Sequence, residues 1–294
     1  MKKKNKIKKI LITGANGFIG KHLKKKLFKF YKLETPSKKK LNLKDKKKLK
    51  LYLHKINPEI IIHLASSTKF KKKKYVEKKN QLLNTYQTTV NLAEEVNENC
   101  KLVLFFGSIE EYGRCSTPFK ETYKPKPISY YGKYKLKSFN KVNKIKKKKK
   151  MNFIWIRPSL TFGENDNKQR FMGHIINSIK ENKVINISPS NQKRDYLLVH
   201  DLCDAILEII KNYSKKYNCI VNISAENYIN LNKIPMIFEK IIKKRLKFKL
   251  YNQNIKKVNL LNSNKKLLKL FPYLKFHSFY EGLKKTIIKE NLNG

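Results

Sequence analysis

The segment Thr13-Gly14-Ala15-Asn16-Gly17-Phe18-Ile19-Gly20 constrains this chain more than any other. It follows a short β-branched apolar run (residues 10–13). It leads into a stretch with Ile19, Leu23 and Leu27 at spacings of four, predicted as a helix over 18–30. A strand, a glycine loop and an amphipathic helix in direct succession make a β-α unit with a particular use. One glycine allows the tight turn, one lets the backbone approach a pyrophosphate, and one lets helix and strand pack closely. The helix N-terminus offers N–H groups and the positive end of its dipole to the phosphates. Gly14, Gly17, Phe18, Ile19 and Gly20 are the residues that would hold such a dinucleotide.

The pattern repeats downstream. A second strand is predicted at 31–35 and a helix at 45–56, with Leu49, Leu53 and Ile56 on one face. Pro58 stops that helix, and residues 60–64 form a wholly apolar strand. A long helix (75–97), a strand (102–106), a helix (130–146) and a strand (153–156) follow. Strands that are apolar throughout, separated by helices, predict a parallel sheet covered on both faces. The fold class is therefore α/β, a doubly wound Rossmann sheet, followed by a smaller C-terminal α/β portion. In that portion 171–179, 201–210, 234–243 and 279–288 read as helices and 220–223 as a strand. The expected division is a dinucleotide-binding domain over 1–165 and a substrate-binding portion over 166–294, some segments packing back on the first. No solenoid-period repeat is found.

Lys and Arg total 69 against 21 Asp and Glu, a formal charge of +48. Only Arg114, Arg157, Arg170, Arg194 and Arg245 are arginines. A nucleic-acid surface concentrates its charge and uses the bidentate geometry of Arg. Here lysines are spread over nearly every predicted helix and loop, and Asn is abundant too. That is the mark of a codon bias toward AT-rich triplets rather than of a nucleic-acid partner. The charge still favours anionic ligands. Runs such as 71–74 and 146–150 read as solvated. Cys100, Cys115, Cys203 and Cys219 form no CxxC pair, which suits reduced thiols in the cytoplasm. No membrane-spanning run exists. The basic start precedes an apolar stretch that is short and broken by glycines, so it is not read as a signal peptide.

The end of the second strand bears on which dinucleotide binds. A carboxylate there would hold the ribose hydroxyls, and Glu34 lies in the strand. However, Ser37 and Lys38 fall at the ribose edge and suit a 2′-phosphate, which favours NADP over NAD. Further along, Tyr131 and Lys135 stand i, i+4 on one helix face. An ammonium one turn from a phenol stabilises the tyrosinate, as a general acid/base for carbinol–carbonyl interconversion requires. Ser108, after the strand 102–106, sits where a hydroxyl can polarise a reacting oxygen.

These residues fall in an ordered set: TGANGFIG, His63-Leu64-Ala65, Gly107-Ser108-Ile109-Glu110-Glu111-Tyr112-Gly113, Pro127 through Lys135, Arg157 through Gly163, and Arg194-Asp195-Tyr196 before Val199-His200-Asp201. The set resembles the extended short-chain dehydrogenase/reductase family, whose members epimerise, dehydrate or reduce nucleotide sugars. The resemblance implies that Tyr131 moves the proton, that Lys135 also holds the nicotinamide ribose, and that Ser108 is the catalytic hydroxyl. It places Asn42 and Leu43 near adenine, Leu64, Ala65 and Asn84 on the cofactor side, and Arg194 on the substrate diphosphate. For Arg194 a structural salt bridge to Asp195 or Asp201 is the alternative. No metal is implied.

The dehydratase branch carries an Asp–Glu pair after the catalytic hydroxyl, where this chain has Ile109 and Glu110. Without that Asp, elimination of water is not expected. The function implied is an NAD(P)-dependent epimerase or 4-keto reductase acting at sugar C4. The alternative is a non-catalytic dinucleotide-binding or RNA-interacting relative. A homodimer through helices 75–97 and 130–146 is also implied, opposed by their lysines.

Overall fold

The computed structural model describes residues 9–66, 75–187, 190–213, 220–250 and 258–292. Cys219 and the lysine run at 71–74 lie outside the described residues. The chain alternates β1 (Lys9–Thr13), α1 (Phe18–Leu27), β2 (Lys32–Glu34), α2 (Lys46–Ile56), β3 (Ile60–His63), α3 (Tyr75–Glu95), β4 (Leu102–Phe106), α4 (Tyr130–Lys149) and β5 (Phe153–Pro158). It continues with β6 (Leu160–Phe162), α5 (Phe171–Lys180), β7 (Ile185–Ile187), β8 (Lys193–Leu198), α6 (Val199–Lys211), β9 (Ile220–Ile223) and β10 (Tyr228–Asn230). The last elements are α7 (Ile234–Ile242), β11 (Phe248–Leu250), α8 (Lys265–Leu270) and α9 (Phe279–Lys289).

One sheet has the strand order β2-β1-β3-β4-β5-β9. The pairings from β2 through β5 are parallel. Alternate residues divide between its two faces. Leu11, Ile61, Val103, Phe105, Phe153 and Trp155 pack with Leu49 and Leu53 of α2, Val90 and Leu92 of α3, and Val142 of α4. Ile10, Ile12, Ile60, Ile62, Leu102 and Leu104 point the other way and are equally buried. This two-sided cover is why the strands carry no polar alternation. The order reverses between β1 and β3, which makes the carboxyl end of β1 the topological switch point.

Local chemistry sets the helix ends. Asp45 caps α2 by accepting from Lys48 N at 3.0 Å, and Asn57 closes it in the left-handed region at φ 48°. Ser129 caps α4, and Ser278 with Glu281 forms a capping box on α9. Helix α1 stops at Leu27 rather than running to Phe30. Phe28 and Phe30 are both exposed, so no buried face rewards another turn before the chain enters β2.

The chain divides into two compact units that interleave in sequence. One comprises residues 1–111, 127–157 and 206–221, the other 112–126, 158–205 and 222–294. The second unit holds the sheet β10-β8-β6 and the parallel pair β11-β7. Strand β8 runs antiparallel to β10 and parallel to β6. Its core gathers Phe162, Ile175, Tyr196, Leu198, Phe238, Phe279 and Leu283. Among the described residues no helix is long and apolar enough to cross a membrane.

Candidate active site

The glycine loop is shaped by contacts that forbid side chains. Gly14 has φ +76°, and a Cβ there would stand 2.6 Å from Ala65 N and 2.8 Å from Leu64 C. This ties the loop to the end of β3, where Leu64 N also donates to Thr13 O at 3.0 Å. A Cβ at Gly20 would meet Gly14 O at 2.4 Å, so Gly20 permits the close start of α1. Gly17 differs. It is exposed, and a Cβ there would meet only Gly14 O, at 3.3 Å. Gly17 is the N-cap of α1, and no side chain caps that helix. An exposed, extended glycine at an uncapped helix start is a cradle that a Cβ would begin to fill, so the loop fits a dinucleotide's pyrophosphate. Phe18 and Ile19, half-buried, open the helix.

The other expected cofactor-side residues are placed as follows. Ser37 and Lys38 are exposed in the turn after β2, and Ser37 Oγ accepts from Lys40 N at 3.3 Å. Asn42 is exposed, its Oδ1 accepting from Lys44 N at 3.2 Å. Leu43 is buried, and its carbonyl accepts from Asn91 Nδ2 of α3 at 2.9 Å. Leu64 and Ala65 follow β3, half-buried, and Asn84 lies half-buried on α3.

At the tip of β4, Lys135 and the start of α4 both meet the short stretch of backbone from Phe106 to Glu110. Lys135 is buried and donates to Phe106 O at 2.7 Å. Its Nζ stands 5.7 Å from the ring centre of Tyr131. Burial pushes the Lys135 ammonium down to about 8, against the opposing pull of the Glu111 carboxylate. Ser108 Oγ accepts from Glu110 N at 3.2 Å, which leaves its own proton for donation. Glu110 also accepts from Ser129 Oγ, whose oxygen accepts from Gly132 N at 3.0 Å. A Cβ at Gly132 would lie 2.3 Å from Glu110 O. The start of α4, which carries Tyr131, is thereby pressed onto the turn that carries Ser108.

Beneath this site lies His63. Its Nδ1 is 2.8 Å from Thr13 Oγ1 and its Nε2 is 3.0 Å from Thr89 Oγ1. Burial, with the nearby Lys135 charge, pushes His63 down to about 3, so it stays neutral. In the second unit, Arg194 donates to Val258 O at 2.5 Å and to Gln192 Oε1. Asp195 is held by Ser159 and by Ser224, the latter at 2.5 Å, and Asp201 by His277 Nδ1 at 2.6 Å.

The family model described as the NAD dependent epimerase/dehydratase family matches residues 10–224, well over half the chain. The chain belongs to that family. Its fold is the Rossmann-like one of the extended short-chain dehydrogenases, and like them it is an NAD(P)-dependent enzyme. One relative, the GDP-6-deoxy-D-talose 4-dehydrogenase of Aggregatibacter actinomycetemcomitans, is 29% identical over 215 residues, covering 69% of this chain and 70% of the relative. The UDP-glucuronic acid 4-epimerase of Bacillus cereus, solved with UDP-glucuronic acid and NAD, superposes with a TM-score of 0.83 at 18% identity, covering 96% and 99% of the two chains. The dTDP-4-dehydrorhamnose reductase of Bacillus anthracis, solved with NADP, superposes with a TM-score of 0.82 at 20% identity, covering 97% and 100%.

Neither the buried Glu111 carboxylate nor the buried His63 ring is marked as part of the site by its own motif. One signal was available. Arg157 stands in the apolar run FIWIRP, and a guanidinium there needs a buried acid.

Proposed function

We propose that the chain catalyses oxidoreduction at C4 of a nucleotide-linked sugar, as a 4-keto reductase or an epimerase working through the same ketosugar. The observation that carries this reading is the buried Lys135, anchored on Phe106 O one helical turn from Tyr131 and two residues before Ser108. A phenol beside a buried ammonium is a proton donor whose anion is stabilised in place. In reduction, the Tyr131 hydroxyl gives its proton to the sugar's O4 and Ser108 donates a hydrogen bond to the same oxygen. In oxidation both roles reverse. The nicotinamide, when bound, supplies or accepts the hydride at C4. Gly14, Gly17, Phe18, Ile19 and Gly20 would hold its pyrophosphate, with Asn42, Leu43, Leu64, Ala65 and Asn84 along the rest of the dinucleotide. Ser37 and Lys38 favour NADP, and Arg194 takes the sugar's diphosphate.

The reductase form is supported by the relative named as a 4-dehydrogenase of a GDP-linked 6-deoxy sugar, while Ile109, in place of the Asp of the dehydratase branch, speaks against elimination. The enzyme works in the cytoplasm, as a homodimer through α3 and α4. The test is turnover of GDP-, dTDP- and CDP-linked 4-keto-6-deoxy sugars with NADPH or NADH. Loss of nicotinamide absorbance with formation of a C4 alcohol is expected. Interconversion of C4 epimers without consumption of added cofactor would exclude the reductase. Sedimentation of the full chain tests the dimer.

A further inference from the structure

Arg157 lies in β5 with its side chain fully buried, where a guanidinium persists only with a partner. That partner is Glu111, also fully buried: Arg157 Nε and Nη2 each stand 2.8 Å from Glu111 Oε2. The same carboxylate serves two more donors. Ser108 N donates to Oε1 at 2.8 Å, and Trp155 Nε1 donates to Oε1 at 3.0 Å. The fit leaves no spare volume, since a Cβ at Gly107 would stand 2.2 Å from both Glu111 Oε1 and Trp155 Nε1. The absent side chain at Gly107 is what lets a carboxylate reach under the strand tip. Glu111 is also the opposite charge that favours the Lys135 ammonium. The charged groups facing this carboxylate are Arg157 on β5 and Lys135 on α4, with neutral His63 of β3 beyond Lys135.

Resting on the reading that Ser108 and Lys135 serve the reaction, we propose that Glu111 is a positioning residue. Its carboxylate fixes the backbone of Ser108 and supplies the counter-charge for Lys135, while Arg157 and Trp155 hold the carboxylate itself. Glu111 does not touch the substrate. It acts through the two groups that do.

Removing Glu111 alone would strand a buried cation, so the test uses paired variants of the full chain. Glu111→Val with Arg157→Met replaces the ion pair by apolar side chains. Glu111→Gln with Arg157→Met keeps an uncharged acceptor. Each is followed by thermal melting, by hydrogen exchange of the Ser108 amide, and by turnover of the ketosugar across pH.

The Val/Met chain is expected to melt cooperatively, to exchange the Ser108 amide about tenfold faster, and to lose about tenfold in kcat with little change in nucleotide-sugar KM. The Gln/Met chain is expected to recover the protection and most of the kcat, with its alkaline limb at lower pH because the counter-charge is gone. A Val/Met chain that melts cooperatively and keeps both the protection and the kcat overturns the proposal. If the Val/Met chain does not fold, an unmoved alkaline limb in the Gln/Met chain overturns it. Failure of the wild-type chain to turn over any ketosugar would refute the reaction while leaving the exchange measurement to decide the hold on Ser108.

Discussion

Lys135 Nζ donates to the carbonyl oxygen of Phe106 at 2.7 Å, joining the helix that carries Tyr131 to the strand tip that carries Ser108. The bond spends one of the three ammonium donors on scaffold and fixes where the charge sits. The helix start is pinned a second time, through Ser129 and Glu110. The proposed proton donor and the proposed polarising hydroxyl are thus held by elements tied to each other, which is the pre-organisation that acid–base catalysis would need.

Tyr131→Phe removes the proton and keeps the ring. It is expected to lower kcat by about 10²- to 10⁴-fold while dinucleotide affinity stays within about twofold of wild type. Ser108→Ala is expected to lower kcat less, by about tenfold or more, because a hydrogen bond rather than a proton is lost. Steady-state kinetics on the ketosugar, with dinucleotide binding by calorimetry, check both.

Two loop glycines, half-buried Gly14 and exposed Gly17, should separate fold from ligand. Gly14→Ala forces a side chain into a left-handed φ and against Ala65 N, and should cost about 1–3 kcal/mol of stability as well as dinucleotide binding. Gly17→Ala meets only Gly14 O, so its melting temperature should hardly move while dinucleotide affinity falls. A Gly17→Ala chain that binds NADPH and NADH as wild type does would remove the loop from the cofactor site.

Lys135 gives opposite pH responses in activity and stability. Its ammonium is held down to about 8, so activity that needs the charge should fall as pH rises through about 8. The unfolded chain keeps the proton up to the ordinary lysine range. Between about 8 and 10.5 the unfolded state therefore binds more protons, and this group's contribution to stability rises with pH. Denaturant melts of wild type and Lys135→Met across that window should differ by a slope that rises with pH in favour of wild type.

Asp195 carries the reverse sign. Burial pushes its carboxyl up to about 6, despite hydrogen bonds from Ser159 and Ser224. A raised acid binds its proton more tightly in the folded state, so this contribution is present at low pH and lost as pH rises from about 4 through 6. Asp195→Asn keeps an acceptor without the charge. It should be more stable than wild type above pH 6, by about 1–3 kcal/mol, and lose the advantage near pH 4. Melts at the two pH values check this.

Strands β1 to β5 and helices α1 to α4 were legible in the sequence because their information is local. Unbroken apolar runs mark two-sided strands, spacings of four mark the helices, and the glycine loop marks the crossing between them. Tyr131 and Lys135 were legible for the same reason, their spacing being one helical turn. The second half was harder. Strands β6, β7, β8, β10 and β11 are three to six residues long, and segments such as Lys193–Leu198 become strands because neighbours from distant sequence pair with them.

What the sequence by itself determined is the class of fold, the loop at the switch point and the pair on one helix face, all fixed by periodicity and glycine chemistry. What only the tertiary structure decided is the interleaving of the two units and the burial of Glu111 against Ser108, Trp155 and Arg157. Residues 46 apart in sequence become partners only when β4 and β5 pair in register, and no local pattern encodes that register.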